Sequence, residues 1–300
     1  MKKHLSAGIE NIIHPYYSSD LLVRSLVRAG IPRYKAYQIT HGIWEDIKGQ
    51  AKTEKKLERK VIKIIKEKYP ELLDRYRNWR GIMRKNKPLI ILLGGSTGIG
   101  TSTMAVRLGW LLEINQILGT DSVREVIRGF LPKRIEPLLN VSTYETGELM
   151  EHIHSHEDAL IYGFLSQSRK VIYGVEAVIK RAIKEKMNIV IEGVHLVPGI
   201  INFLSKYEHK ATIIPVLLDV DQEEKHRQHF LTRQLQNANR AKKKYIDHFR
   251  EIRTIRDYLF SQAKKNKIPV IENYSIHHAE KEILNVIYEL FYSKKKKKGY

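Results

Sequence analysis

The sequence predicts an α/β protein, a parallel sheet with helices on both faces, preceded by a small helical domain. Three observations carry this prediction. Upstream of Pro88 the apolar residues recur at helical spacing. Downstream of it, short apolar runs alternate with amphipathic stretches. The first of those runs leads directly into a glycine-rich turn, "GGSTGIGTST".

Taken in order, "SSDLLVRSLVRAGIP" offers Ser19 or Asp20 as a helix cap, sets Leu22, Leu26 and Val27 on one face, and stops at Gly30 and Pro32. "KLERKVIKIIKEKYPELLDRYRNW" places Leu57, Val61, Ile64 and Ile65, then Leu72, Leu73 and Tyr76, at helical spacing on either side of Pro70. Residues 1–87 therefore read as a helical domain with a basic outer surface. Strands are expected at 89–93, 114–118, 188–192, 211–219 and 268–272, with a helix from Thr101 to about Leu112. Carboxyl ends of such strands are where an open parallel sheet delivers side chains to a ligand. Residues 88–293 form this α/β domain, and residues 294–300 read as a basic tail.

Composition narrows the function. The 300 residues are 42% hydrophobic and 29% charged, which suits a globular protein with a real core. The absence of cysteine excludes disulfides, thiolate metal sites and a cysteine nucleophile. Neither a membrane span nor a signal peptide is legible, so a cytoplasmic location is expected. The net charge is +20, but residues 1–87 hold 21 Lys+Arg against 9 Asp+Glu, and five of the remaining positives are the run Lys294 to Lys298. The body is thus close to balanced, and nucleic acid is disfavoured as a partner relative to a small anionic one.

Gly95, Gly98 and Gly100 follow a buried strand and precede a helix, so backbone amides from Gly95, Ser96, Thr97, Gly98, Ile99, Gly100, Thr101, Ser102 and Thr103 can converge on phosphate oxygens. Against the phosphate-loop pattern GxxxxGK[ST], residues 95 to 102 match at Gly95, Gly100 and Ser102, while Thr101 occupies the lysine position. Ser102 retains the hydroxyl that reaches Mg²⁺ in such loops. The missing charge must come from elsewhere, and Arg107, Lys133, Lys170 and the arginines near 227 to 233 are the candidates.

Further site residues follow the other strands. "GTDSVREVIRGF" groups Asp121, Arg124 and Arg128, the arginines one helical turn apart and able to face one anion. Asp121 could orient or deprotonate an acceptor hydroxyl, or simply cap the helix. "NIVIEGVHLVPG" presents Glu192, where a carboxylate would hold magnesium or its water, and His195, a substrate contact or a packing residue. "LDVDQEEKHRQHFLTRQ" brings Asp221, Arg227 and Arg233, the arginines able to close over a transferring phosphoryl group. The alternating His152, His154 and His156 form a weak case for a metal site.

With "GGSTGIGTST", "GTDSVREVIR" and "IEGVHLVPG" in view, the chain closely resembles archaeal 2-phosphoglycerate kinase over nearly its whole length. The opening "SSDLLVRSLVRAGIPRYKAYQIT" is similar to an ATP-cone, the helical nucleotide-binding module that precedes the kinase domain in that family. The resemblance implies a P-loop kinase-type sheet, ATP and Mg²⁺ as cofactors, and transfer of the γ-phosphoryl group to 2-phosphoglycerate to give 2,3-bisphosphoglycerate. A homo-oligomer is left open. The residues themselves also admit a kinase for a nucleotide, nucleoside or RNA end. The helical basic segment admits an ATP-sensing nucleic-acid regulator.

Overall fold

The computed structural model describes residues 15–46, 54–84, 87–150, 155–236 and 242–296. The chain divides into two compact units, residues 1–85 and 86–300.

The first unit is helical: α1 (Pro15–Ala29), α2 (Arg33–Asp46), α3 (Glu54–Lys68), a 3-10 turn (Pro70–Leu72) and α4 (Leu73–Met83). Pro70 breaks the helix as its missing N–H requires, and Val23, Leu26, Ile43, Val61, Ile65, Tyr76 and Trp79 form the buried core. One expectation is corrected. Ser19 and Asp20 do not cap α1, which already begins at Pro15, a residue whose fixed φ suits a first helical turn. Asp20 instead pairs with Arg24, one turn on.

The second unit is the predicted parallel sheet, with strands β1 (Leu89–Gly94), β2 (Gln116–Gly119), β3 (Ile189–Gly193), β4 (Thr212–Asp219) and β5 (Val270–Glu272) in the order β2-β3-β1-β4-β5. Every residue of β1 is buried, as a continuous apolar run at the centre of a parallel sheet should be. The connections are α5 (Thr101–Leu112), α6 (Thr120–Phe130), two 3-10 helices (Pro137–Asn140 and Thr143–Leu149), and α7 (His156–Glu185). A further 3-10 helix (Ile200–Tyr207), α8 (Glu223–Gln236), α9 (Lys242–Asp247), α10 (Phe249–Lys265) and α11 (Ile276–Lys296) complete the unit. Helix α11 runs through Lys296, so the lysine run begins as helix rather than as a tail; residues 297–300 lie outside the described ones. No helix among the described residues is long and apolar enough to cross a membrane.

Two features place the site. In register, Leu93 of β1 pairs with Glu192 of β3, and Gly119 of β2 pairs with the same Glu192, so three strand ends meet at one carboxylate. On the other side Asp219 of β4 is paired with Glu272, and the Asp219 carbonyl accepts the Asn273 N–H at 2.7 Å. That bond fixes Asn273 beside the glycine-rich turn. Asp219 itself is 2% exposed and held by Arg256 of α10, whose Nε lies 2.6 Å from Oδ1 and whose Nη2 bonds Oδ2.

Candidate active site

The glycine-rich turn joins β1 to α5. Gly98 and Gly100 have φ of 87° and 97°, the left-handed region that side chains resist. A Cβ on Gly98 would also stand 2.3 Å from the Phe230 ring of α8, so this position tolerates only glycine. Helix α5 starts without a side-chain cap, and its first backbone bond is Met104 N–H to the Gly100 carbonyl at 3.0 Å. The N–H groups of Thr101, Ser102 and Thr103 therefore have no carbonyl partner within their own helix, and the positive end of its dipole adds to them.

The turn is held from outside by its carbonyls. His226 Nε2 lies 2.8 Å from the Thr97 carbonyl, His229 Nδ1 3.2 Å from that of Gly98, and Asn273 Nδ2 donates to that of Ile99 at 2.8 Å. Ser96 Oγ donates to the Ile252 carbonyl of α10 at 3.0 Å. In a trans peptide the C=O and the next N–H point opposite ways. Carbonyls drawn outward at Thr97 and Ile99 thus leave the Gly98 and Gly100 amides facing the other side, where an anion would lie.

Thr101, in the lysine position, does not restore the charge. Its hydroxyl donates to Glu192 Oε2 at 2.7 Å, and Ser102 Oγ donates to Oε1 of the same carboxylate at 2.9 Å. Arg107 points at Glu280 of α11, 2.6 Å away, and Lys170 is paired with Glu136. Lys133 is exposed in the turn after α6. Arg227 is exposed on α8, with its guanidinium 3.8 Å from the Phe249 ring centroid.

Helix α6 carries Asp121, Arg124 and Arg128. The Asp121 side chain is 70% exposed, whereas that of Arg124 is 15% exposed and donates to the Val141 carbonyl at 3.1 Å. Arg124 also lies 3.8 Å from Asp121 and 3.4 Å from Glu125, and Arg128 pairs with Glu125. His195 is wholly buried: Nδ1 is 3.0 Å from Thr120 Oγ1 and Nε2 is 3.1 Å from Gln167 Oε1. Burial pushes its pKa down to about 4; Asp121 opposes the shift and Arg124 adds to it. Gln167 in turn donates to the Val141 carbonyl at 3.1 Å, so His195 and Arg124 converge on one backbone group through different routes.

These features form a glycine-rich strand-to-helix turn whose helix amides are uncapped, beside a carboxylate that accepts from two hydroxyls. The chain is 34% identical to a 2-phosphoglycerate kinase of Methanopyrus kandleri, across 90% of this chain and 83% of that one. It is likewise 34% identical to those of Methanocaldococcus jannaschii and Pyrococcus horikoshii, across 91% and 90% of this chain and 88% and 89% of theirs. The chain belongs to the 2-phosphoglycerate kinase family. Among solved structures, a shikimate kinase of Acinetobacter baumannii matches at 16% identity and a TM-score of 0.39, covering 72% of this chain and 98% of that one. No family model matches.

For a member of the 2-phosphoglycerate kinase family, the structure sorts the expected residues. Gly95 to Thr103 and Glu192 come together at the head of the sheet, and Asp121, Arg124 and Arg128 share α6. His195 is corrected from substrate contact to framework, because both ring nitrogens are spent on buried partners. Arg233 lies on α8 with its side chain outside the described residues, as are His152 and His154. His156 is exposed at the start of α7, and no cluster of three or more metal-binding side chains occurs among the described residues. His226, His229, Phe230 and Asn273 are the parts of the site that the sequence reading missed. Their one signal is the 226, 229, 230 spacing on a single helix face.

Proposed function

We propose that this chain transfers the γ-phosphoryl group of ATP to the 3-hydroxyl of 2-phosphoglycerate, giving 2,3-bisphosphoglycerate and ADP. The observation that carries the reading is identity of 34% with 2-phosphoglycerate kinases across nine-tenths of the chain, joined to a phosphate loop with uncapped helix amides.

The phosphates lie along the backbone amides of the loop and the start of α5. Ser102 and Glu192 suit a magnesium ion: a hydroxyl and a carboxylate 2.9 Å apart supply the one or two protein oxygens that a largely hydrated Mg²⁺ uses beside phosphates. When bound, the ion offsets charge on the β and γ oxygens. The acceptor carries a phosphate and a carboxylate toward a triphosphate, so like charges must be countered. Arg124 and Arg128 hold the acceptor's anionic groups, and Arg227 and Arg233 on α8 cover the transferring group. Asp121 takes the proton of the 3-hydroxyl as its oxygen bonds to phosphorus and the bond from the γ-phosphorus to the bridging oxygen breaks. The transfer is loose, so positioning and charge outweigh base strength.

Phosphorus NMR of protein, ATP, Mg²⁺ and 2-phosphoglycerate tests this. New resonances of a doubly phosphorylated glycerate, formed as ADP accumulates, are expected. ATP consumption only with a nucleotide, nucleoside or RNA end in place of 2-phosphoglycerate would overturn the reading.

A further inference from the structure

We infer that His226 and His229 are positioning residues for phosphoryl transfer, which anchor the phosphate loop to α8 through its outward carbonyls, His226 thereby aiming the Gly98 amide at the nucleotide. The inference rests on the reading that the loop holds the ATP phosphates.

The contacts are specific in direction. A backbone carbonyl can only accept, so His226 carries its proton on Nε2 and His229 carries one on Nδ1. Burial pushes the His226 pKa down to about 4, the Thr97 carbonyl opposing, and burial likewise lowers that of His229. Both rings are therefore neutral donors at physiological pH. The His226 Nδ1 is buried with no hydrogen-bond partner, so the ring has no polar role other than the bond to Thr97.

Apolar packing clamps the same junction. The Phe230 ring fills the space left by the missing Gly98 side chain. It stacks on His226 at 5.3 Å between centroids and on Tyr245 of α9 at 5.2 Å. Three side chains on one face of α8, at 226, 229 and 230, thus seize two successive residues of the loop. Most phosphate loops have a lysine ammonium to bind phosphate whatever small errors the backbone makes. Here Thr101 offers none, so affinity depends on amide direction: the Thr97 carbonyl tied by His226 sets the Gly98 amide, while the amide opposite the Gly98 carbonyl, that of Ile99, donates to the Ser96 carbonyl at 3.3 Å, so His229 acts by holding the turn on α8. The same bonds join the loop to the helix that carries Arg227 and Arg233, so nucleotide grip and arginine placement are linked.

The test pairs each histidine with an apolar and an amide replacement. Gln sets a side-chain N–H near the place of Nε2, and Asn sets one near Nδ1. The variants are therefore His226→Leu with His226→Gln, and His229→Leu with His229→Asn. Equilibrium binding of MgADP by calorimetry, with no acceptor present, separates this proposal from the choice of acceptor. If the wild-type chain binds MgADP but makes no 2,3-bisphosphoglycerate, the functional reading fails while this test still stands.

Leaving a half-buried loop carbonyl without its imidazole donor is expected to weaken MgADP binding roughly tenfold in each leucine variant. The KM for ATP should rise with it and the KM for the acceptor should hold, with binding in the amide variants returning to within about threefold of wild type. Should His226→Leu fail to fold, His229→Leu against His229→Asn decides. Leucine variants that bind MgADP as wild type does would overturn the proposal. So would amide variants that melt like wild type yet bind as weakly as the leucine ones.

Discussion

Ser102 and Glu192 form a hydroxyl and carboxylate pair between the start of α5 and the end of β3. Replacing Ser102 by Ala removes a small exposed group and leaves Glu192 bonded to Thr101. Turnover should fall by about a hundredfold, the scale of one lost transition-state contact, with an unchanged melting temperature. Steady-state kinetics beside a thermal melt checks both halves, and normal turnover would remove Ser102 from the site. His195 gives the opposite pattern. Its folded pKa of about 4 lies below the ordinary 6.5, so between those values the unfolded chain binds the proton more readily. The stability this group contributes is complete above pH 6.5 and drains away as pH falls toward 4. His195→Gln, which has no proton to gain, should flatten that part of the stability curve in denaturant titrations. An unchanged slope would show that His195 is not the buried neutral group described.

At the scale of elements, the strand ends depend on a buried ion pair. Arg256 of α10 holds Asp219 at the end of β4, which in turn positions Asn273 against the loop carbonyl of Ile99. Arg256→Ala strands a carboxylate that is 2% exposed and should cost about 3–5 kcal/mol of stability. Loss below about 1 kcal/mol in urea unfolding would mean the pair is idle. Such long-range ties explain what could be read in advance. All five strands and α5 were legible, because an apolar run and a 3.6-residue period are local signals and "GGSTGIGTST" is a contiguous motif. The bonds from His226 to Thr97 and from Asn273 to Ile99 span 129 and 174 residues, and no spacing rule links such positions. The reading of Ser19 or Asp20 as a cap failed for a local reason: Pro15 offered an earlier start. His195 was ambiguous because its burial comes from Thr120 and Gln167, on two other elements.

For the whole molecule, a net charge of +20 faces substrates that are all anions. Long-range attraction should raise encounter rates at low ionic strength. Raising salt from about 0.05 to 0.5 M should therefore lower kcat/KM severalfold by screening, with little change in kcat. A flat salt profile would confine the charge to solubility. In the helical unit, the cleft formed by Ser19, Asp20, Val23, Tyr37, Thr40, His41, Trp44 and Glu45 has a volume of about 380 Å³ and neither lysine nor arginine in its lining. The kinase unit, not this cleft, holds the amides suited to a triphosphate. The proposed transfer rests on those amides gripping phosphate without a lysine beside them, and backbone NMR of the labelled protein titrated with MgADP observes them directly. The N–H resonances of Gly98, Gly100, Thr101 and Ser102 should move to higher frequency at saturation, as amides do on bonding to phosphate oxygens. Saturable MgADP binding with those four resonances unmoved would contradict it.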